Sequence, residues 1–250
     1  MQCVWLSALC PLLNAHNIHP TRYNQSREGE TLLDVLNTLL FMAIGYFIGT
    51  VPTGYLVARA RGIDIQKVGS GNIGATNILR SVGVVPAVIV VLLDPLKGFL
   101  ATLLPILFLQ SSWTIALAGF ATVFGNNFNV FLKMRGGKGI ATSLGVFMAV
   151  DPIVTLLSMI IGISTIGLGR FVSLGSIIGL MCPPLMLLAR GNFQFPYFYL
   201  AVALSALAIW RHRENIQRLA KGVERRLGEK AKVETNAEPL KDPPIEDLNP

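Results

Sequence analysis

Residues 82–110 read VGVVPAVIVVLLDPLKGFLATLLPILFLQ. A bilayer is crossed by roughly 18–20 apolar residues, and this run exceeds that length with only two charges, Asp94 and Lys97. Charges inside such a run are costly in lipid unless they face protein or water. Asp94 and Lys97 stand three apart, on one helical face, and are spaced to pair. The D-x-x-K-G segment therefore reads either as a structural ion pair or as a place where Lys97 helps line an anionic substrate site.

Further apolar runs cover 32–60, 113–132, 140–188 and 197–210. Gly45, Gly49, Pro52 and Gly54 lie inside the first. The small residues suit close helix packing in lipid, and Pro52 predicts a kink. The run over 140–188 is broken at Asp151 and Pro152, at Gly169 and Arg170, and at Pro183 and Pro184. Of the 250 residues, 52% are hydrophobic and 14% charged, against about 25% charged in soluble domains. The fold class is an all-α polytopic membrane protein. Alternating ten-residue strands of a membrane barrel are missing from the sequence. Cys3, Cys10 and Cys182 are scattered, supporting neither a disulfide framework nor a metal site.

The net charge of +7 reads as a positive-inside signal and not as nucleic-acid binding. Lysines and arginines gather in three loops, 59–80, 133–138 and 211–230, whereas the link near Gln110 carries no charge. The three loops are therefore expected on the cytoplasmic side, with the N-terminus outside. Three spans lead to the second loop, and an even number must follow before Arg211. Four fit the breaks, the first being a short span over 140–150, for about seven in all. Trp210 belongs at the headgroup level. Residues 1–30 read as a flexible extension, 31–228 as the membrane domain, and 229–250 as a disordered polar tail.

Three polar clusters fall on that shared side. Residues 69–80 read GSGNIGATNILR. Gly69, Gly71 and Gly74 leave backbone amides open to wrap an anion. Ser70, Asn72, Thr76 and Asn77 add short polar groups, and Arg80 adds a planar cation. Residues 135–139 read RGGKG. Gly136, Gly137 and Gly139 permit close backbone approach, Lys138 supplies a point charge, and a helix starting near Ile140 offers its positive end to an anion. The pattern is not a nucleotide-binding P-loop. His212 and Asn215 share a helical face after the last run, with Glu224 beyond. No Ser-His-Asp arrangement is present. Phosphate-type loops beside apolar walls fit transfer of an acyl group to a phosphorylated small molecule.

The ordered motifs GSGNIGATNxxR, DxxKG, GGKGxAT and HxxNIxRLxxGxE resemble the bacterial membrane acyl-phosphate:glycerol-3-phosphate acyltransferases, the PlsY family. The resemblance implies a multi-pass enzyme of the inner (plasma) membrane, without cofactor or metal. It implies transfer of a fatty acyl group from acyl phosphate to the 1-hydroxyl of glycerol 3-phosphate, giving lysophosphatidic acid, with a soluble partner enzyme supplying acyl phosphate. It assigns Ser70 and Arg80 to activity, makes His212 and Asn215 active-site residues, and gives Gly136, Gly137, Lys138 and Gly139 to glycerol-phosphate binding. Read from the loops themselves, Asn72 and Lys138 join Ser70, Arg80, His212 and Asn215 as residues expected to act in the reaction, and Gly69, Gly71, Thr76, Asn77, Lys97 and Thr142 are expected to bind substrate; Ser173 and Ser176 resemble a further family pattern that reaches a phosphate. Glu224 becomes structural. The chain departs from the family at Gln66, where arginine is usual, and at Asn126 and Asn129, where histidine and proline are common. A transporter of a phosphorylated solute would use similar cationic loops, but would place its site near the bilayer midplane within repeats, and no repeat is evident. A membrane assembly protein would not need the donor-rich loops.

Overall fold

The computed structural model describes residues 32–191 and 193–229. The chain divides into two compact units at Leu39 and Leu40. Of the first, only the opening turns of α1 (Leu32–Gly49) are described; everything below belongs to the second. The expected extension over 1–30 and nearly all of the expected tail lie outside the described residues.

The kink expected at Pro52 is a full break. α1 ends at Gly49 and a short α2 (Thr53–Arg59) follows. A further short helix, α3 (Ala75–Ser81), ends the first polar loop. The apolar run over 82–110 forms one continuous helix, α4 (Val84–Phe108), with Pro95 and Pro105 inside it. α5 (Ser112–Asn127) leads to the second loop. α6 (Ile140–Val150) is the short helix anticipated there, and α7 (Pro152–Gly169) starts where Asp151 accepts from the Val154 amide at 3.0 Å. α8 (Val172–Arg190) runs unbroken through Pro183 and Pro184, against the break expected there. α9 (Phe195–Arg211) and the polar α10 (Arg213–Ala220) complete the described helices.

Five of these segments are long and apolar enough to cross a membrane, the first being α1 with α2; the two shorter apolar helices are α6 and α9. Much of their apolar surface points outward, as at Leu92 and Leu168. Lipid does not drive such faces together, so close backbone packing and polar contacts hold the helices. α4 and α6 pack this way: a Cβ on Gly98 would strike the Thr142 carbonyl, and one on Gly145 the Pro95 carbonyl. That approach sets the D-x-x-K-G segment against the start of α6. One buried cluster joins Val123, Phe147, Val154, Leu180 and Leu204 from α5 to α9. A second, around Ala58, Ile65, Ile73, Ile78 and Val90, lies beneath the first polar loop.

Candidate active site

The first loop is built around Asn77, 4% exposed. Its Oδ1 accepts from the Ser70 amide at 3.0 Å, and its Nδ2 donates to Val68 O at 3.0 Å and Asn72 O at 2.9 Å. Asn72 Oδ1 in turn accepts from the Gly74 amide at 3.0 Å. Gly69 and Gly71 have φ of +66° and +69°, a region that favours glycine. Asn77 thus shapes the loop from beneath, and amides expected to face an anion are already engaged. Arg80 donates to the carbonyls of Arg225 at 3.3 Å and Arg226 at 3.1 Å, so the segment after α10 is strapped onto this loop.

The second loop is held differently. The Gly136 amide donates to Asn127 O at 3.2 Å and the Gly137 amide to Asn126 O at 2.9 Å. From the other side, Arg211 donates to the carbonyls of Gly136 at 3.1 Å and Gly137 at 2.8 Å. The Arg211 guanidinium also lies 5.7 Å from the Phe128 ring centroid and 5.9 Å from that of Trp210, a cation–π setting. The first two glycines are therefore not an amide cradle. They let the backbone lie against the end of α5, since a Cβ on Gly136 would meet the carbonyls of Asn126 and Asn127. What the loop offers an anion is Lys138 and the start of α6, where Gly139 caps without a side-chain bond and the first-turn amides lack helical acceptors. Gln66 Nε2 donates to Arg135 O at 3.0 Å, joining the two loops.

Lys138 donates to Asn215 Oδ1. Asn215 Nδ2 donates to Glu224 Oε1 at 2.6 Å, Ser173 Oγ donates to the same oxygen at 2.8 Å, and Arg218 Nε donates to Oε2 at 2.7 Å. Burial raises the Glu224 pKa, but these hydrogen bonds outweigh it and the carboxyl lies below its ordinary value. Glu224 thereby ties α10, the start of α8 and the strap together. Burial, followed by the charge of Arg218, lowers Lys138 from 10.5 to about 8. His212 is 3% exposed, with Nδ1 2.8 Å from Ala208 O. A carbonyl there requires N–H at Nδ1, leaving the Nε2 lone pair free to accept. Burial first, then the nearby Lys138 charge, lowers the imidazole from 6.5 to about 4, so the ring is neutral near pH 7.

All of these groups line one cleft of about 700 Å³. Every residue given a site role from the sequence borders it except Lys97. Lys97 is instead buried in an ion pair with Asp94 at 2.8 Å, so the bland reading of that pair is the geometry found. Within the cleft, Ser173 points its hydroxyl at Glu224. Thr142 is 1% exposed, and its hydroxyl has no partner among the described residues. Asp94, Asn126, Arg211, Arg218 and Arg225 also line the cleft, none of them assigned a site role from sequence. Arg211 read as a charge at the end of the last span; its position beside His212 was the available signal. A separate apolar pocket of about 110 Å³ between α6, α7 and α8 shares Ile140, Leu144 and Ser176 with the cleft.

A bundle of apolar helices that gathers four polar segments around one cationic cleft, with a neutral histidine inside and an apolar pocket beside it, defines an integral membrane enzyme for a phosphate-bearing substrate. A family profile described as glycerol-3-phosphate acyltransferase matches residues 39–222. The chain is similar to glycerol-3-phosphate acyltransferase 1 of Deinococcus radiodurans, with 48% identity over 198 residues, 78% of this chain and 98% of that protein. It is also similar to the glycerol-3-phosphate acyltransferase of Thermus thermophilus, with 47% identity over 77% of this chain and 96% of that protein. Among solved structures, it resembles PlsY, an integral membrane glycerol 3-phosphate acyltransferase, in its glycerol 3-phosphate form. That match has a TM-score of 0.73 and 40% identity, covering 76% of this chain and 96% of PlsY. The lysophosphatidic acid form gives a TM-score of 0.71 and 39% identity, covering 76% of this chain and 94% of that one. The chain belongs to the glycerol-3-phosphate acyltransferase family.

Proposed function

We propose that the acyl donor is acyl phosphate. The enzyme transfers its fatty acyl group to the 1-hydroxyl of glycerol 3-phosphate, releasing lysophosphatidic acid and inorganic phosphate, the first acylation of phospholipid synthesis. The observation that carries this reading is the joining of a cationic cleft to an apolar pocket through Ile140, Leu144 and Ser176. A donor with a phosphate at one end and an alkyl chain at the other spans that junction.

Lys138 and the first turn of α6 hold the phosphate of glycerol 3-phosphate, while Ser70 and Arg80 meet the phosphate of the donor. Acyl phosphate is a mixed anhydride and already activated, so orientation and charge neutralisation supply most of the rate. The hydroxyl oxygen attacks the carbonyl carbon, the bond from that carbon to the phosphate oxygen breaks, and the proton leaves with the phosphate. His212, with a pKa of about 4, is too weak a base to be matched to this task near pH 7. Its Nε2 accepts from the 2-hydroxyl of glycerol 3-phosphate and so aims the neighbouring 1-hydroxyl, whose own proton stays available to the phosphate. Arg211 and Glu224 hold the two sides of the cleft in register. No cofactor or metal takes part. A soluble enzyme supplies the acyl phosphate, and lysophosphatidic acid leaves into membrane lipid.

The enzyme sits in the inner (plasma) membrane with its cleft cytoplasmic and its N-terminus outside, α6 and α9 crossing along with the five longer segments. Supporting this are the basic residues that line the cleft, Arg80, Arg135, Arg211, Arg213 and Arg218. Away from the cleft, Arg190 is paired with Asp151 at 2.9 Å. Cysteines placed singly at Gln66, Lys133 and Gln217 in a cysteine-free background are labelled by an impermeant reagent only when the cytoplasmic side is open; labelling at position 133 from outside refutes the orientation. Purified enzyme with labelled glycerol 3-phosphate forms lysophosphatidic acid from acyl phosphate. Formation from an acyl thioester in its place overturns the donor.

A further inference from the structure

Lys97 was expected among the substrate ligands, yet it does not line the cleft. Its ammonium has three hydrogens to place in a setting 7% exposed. One faces Asp94 Oδ1 at 2.8 Å, one goes to Val51 O at 3.0 Å, and one to Asn126 Oδ1 at 2.7 Å. Val51 lies in the break between α1 and α2, and Thr53 just after it donates its hydroxyl to Asp94. The broken first span and α4 thus grip Lys97 together, and the remaining hydrogen fixes the end of α5. Asn126 carries that placement into the cleft, which it lines. Its carbonyl takes the Gly137 amide at 2.9 Å. Its side-chain Nδ2 lies 3.0 Å from where a Cβ on Gly137 would stand. The next residue is Lys138.

We propose that Lys97 and Asn126 are a positioning pair for the phosphate site: Lys97 fixes Asn126, and Asn126 sets the Gly137–Lys138 segment that presents the ammonium to glycerol 3-phosphate. The inference rests on the reading of Lys138 as the glycerol-phosphate ligand. A point charge with three rotatable donors suits this role, because each bond leads to a different element: α4, the break before α2, and α5. The pair also gives this chain's Asn126 a purpose, as a neutral acceptor for Lys97 whose backbone simultaneously receives the loop.

The test compares wild type, Lys97→Met, Asn126→Ala and the double variant in one detergent, by steady-state kinetics and by calorimetric titration with glycerol 3-phosphate. Each single variant is expected to raise KM and Kd for glycerol 3-phosphate about tenfold while kcat stays within about threefold, as loss of ground-state binding requires. The double variant is expected to be no worse than the poorer single one, since both cut the same chain of contacts. The alkaline limb of kcat/KM, set by Lys138 at about 8, moves upward in both variants as the loop turns toward water. A merely structural pair gives less folded enzyme with unchanged KM, an unmoved limb and additive losses, and that result overturns the proposal. If Lys97→Met does not fold, Asn126→Ala alone decides by the same KM and pH readouts. Wild type that neither binds glycerol 3-phosphate nor forms lysophosphatidic acid refutes the functional reading itself; wild-type activity with an unmoved KM in the variants refutes only the pair.

Discussion

The two glycine-rich loops look alike in sequence but are held by opposite means. The loop over 69–80 is organised by one buried side chain, Asn77, which takes one backbone amide and supplies two backbone carbonyls. The loop over 135–139 is organised by backbone against backbone, with Arg211 on the far side. In the first, Gly69 and Gly71 are required by positive φ. In the second, Gly136 is required by crowding. Glycine count alone does not tell these cases apart, because conformational freedom and lack of bulk are separate properties of the same residue.

The contrast breaks most visibly at Asn77. Asn77→Leu removes the acceptor of the Ser70 amide and a donor to the Val68 and Asn72 carbonyls, of which Val68 O keeps the Gly71 amide at 3.1 Å; each group left buried and unsatisfied costs about 1–3 kcal/mol. The expected outcome is a large fall in detergent Tm and near-complete loss of activity in whatever protein remains folded. Retained activity would show that the loop does not depend on its hub.

Next in size is Gly136→Ala. Its methyl meets two backbone carbonyls that cannot move independently, so the loop shifts away from α5 at a cost of about 1–3 kcal/mol. Gly137→Ala meets first a side-chain nitrogen, Asn126 Nδ2, at 3.0 Å, which has to yield only a few tenths of an ångström while Asn126 Oδ1 stays on Lys97. Glycerol 3-phosphate KM should therefore rise far more at 136 than at 137, with the 137 variant changing mainly KM. Equal effects would mean that Gly137, too, is fixed by contact with substrate.

His212→Asn is expected to be smaller than the roughly 10²–10⁴-fold loss of a general base. With a wild-type pKa of about 4, the imidazole is already neutral above pH 5, so a change in its protonation cannot produce an acid limb near pH 6.5. Any limb there reports phosphate ionisation and should survive in the variant. Loss of that limb only in His212→Asn would make the histidine the base.

The smallest effect belongs to Gly62, whose φ is +73° with nothing within 4 Å of an added Cβ. Gly62→Ala should lower stability by about 1 kcal/mol from backbone strain alone and leave kcat/KM unchanged. It calibrates conformational strain without crowding, against which the Gly136 result can be read.

Much of this was legible in the chain itself. Hydropathy, Pro52, and the breaks at Asp151 and Arg170 located most helix ends, because lipid forces apolar length and prolines and caps act locally. Pro183 and Pro184 misled: α8 runs unbroken through them, prolines being tolerated inside membrane helices. The charge pattern placed three polar clusters on one side, and all three border the cleft. The roles of individual residues were harder to read. Lys97 read equally as a ligand or as half of an ion pair, and Arg211 as a topological charge. Burial and partners distinguish these roles, and both depend on residues far away in sequence: Asn126 for Lys97, Glu224 for Asn215, Gly136 for Arg211.

The sequence by itself determined an α-helical membrane protein of the acyltransferase family, and its motifs marked the polar loops expected to carry the chemistry. Periodicity, length and short motifs are local properties, and these conclusions need nothing else. Only the tertiary structure decided that His212 is a buried, neutral ring, that Lys138 is lowered to about 8, and that Lys97 is buried outside the cleft. Those outcomes follow from desolvation and hydrogen bonding between distant segments, which exist only once α4, α5 and α6 have packed around the site.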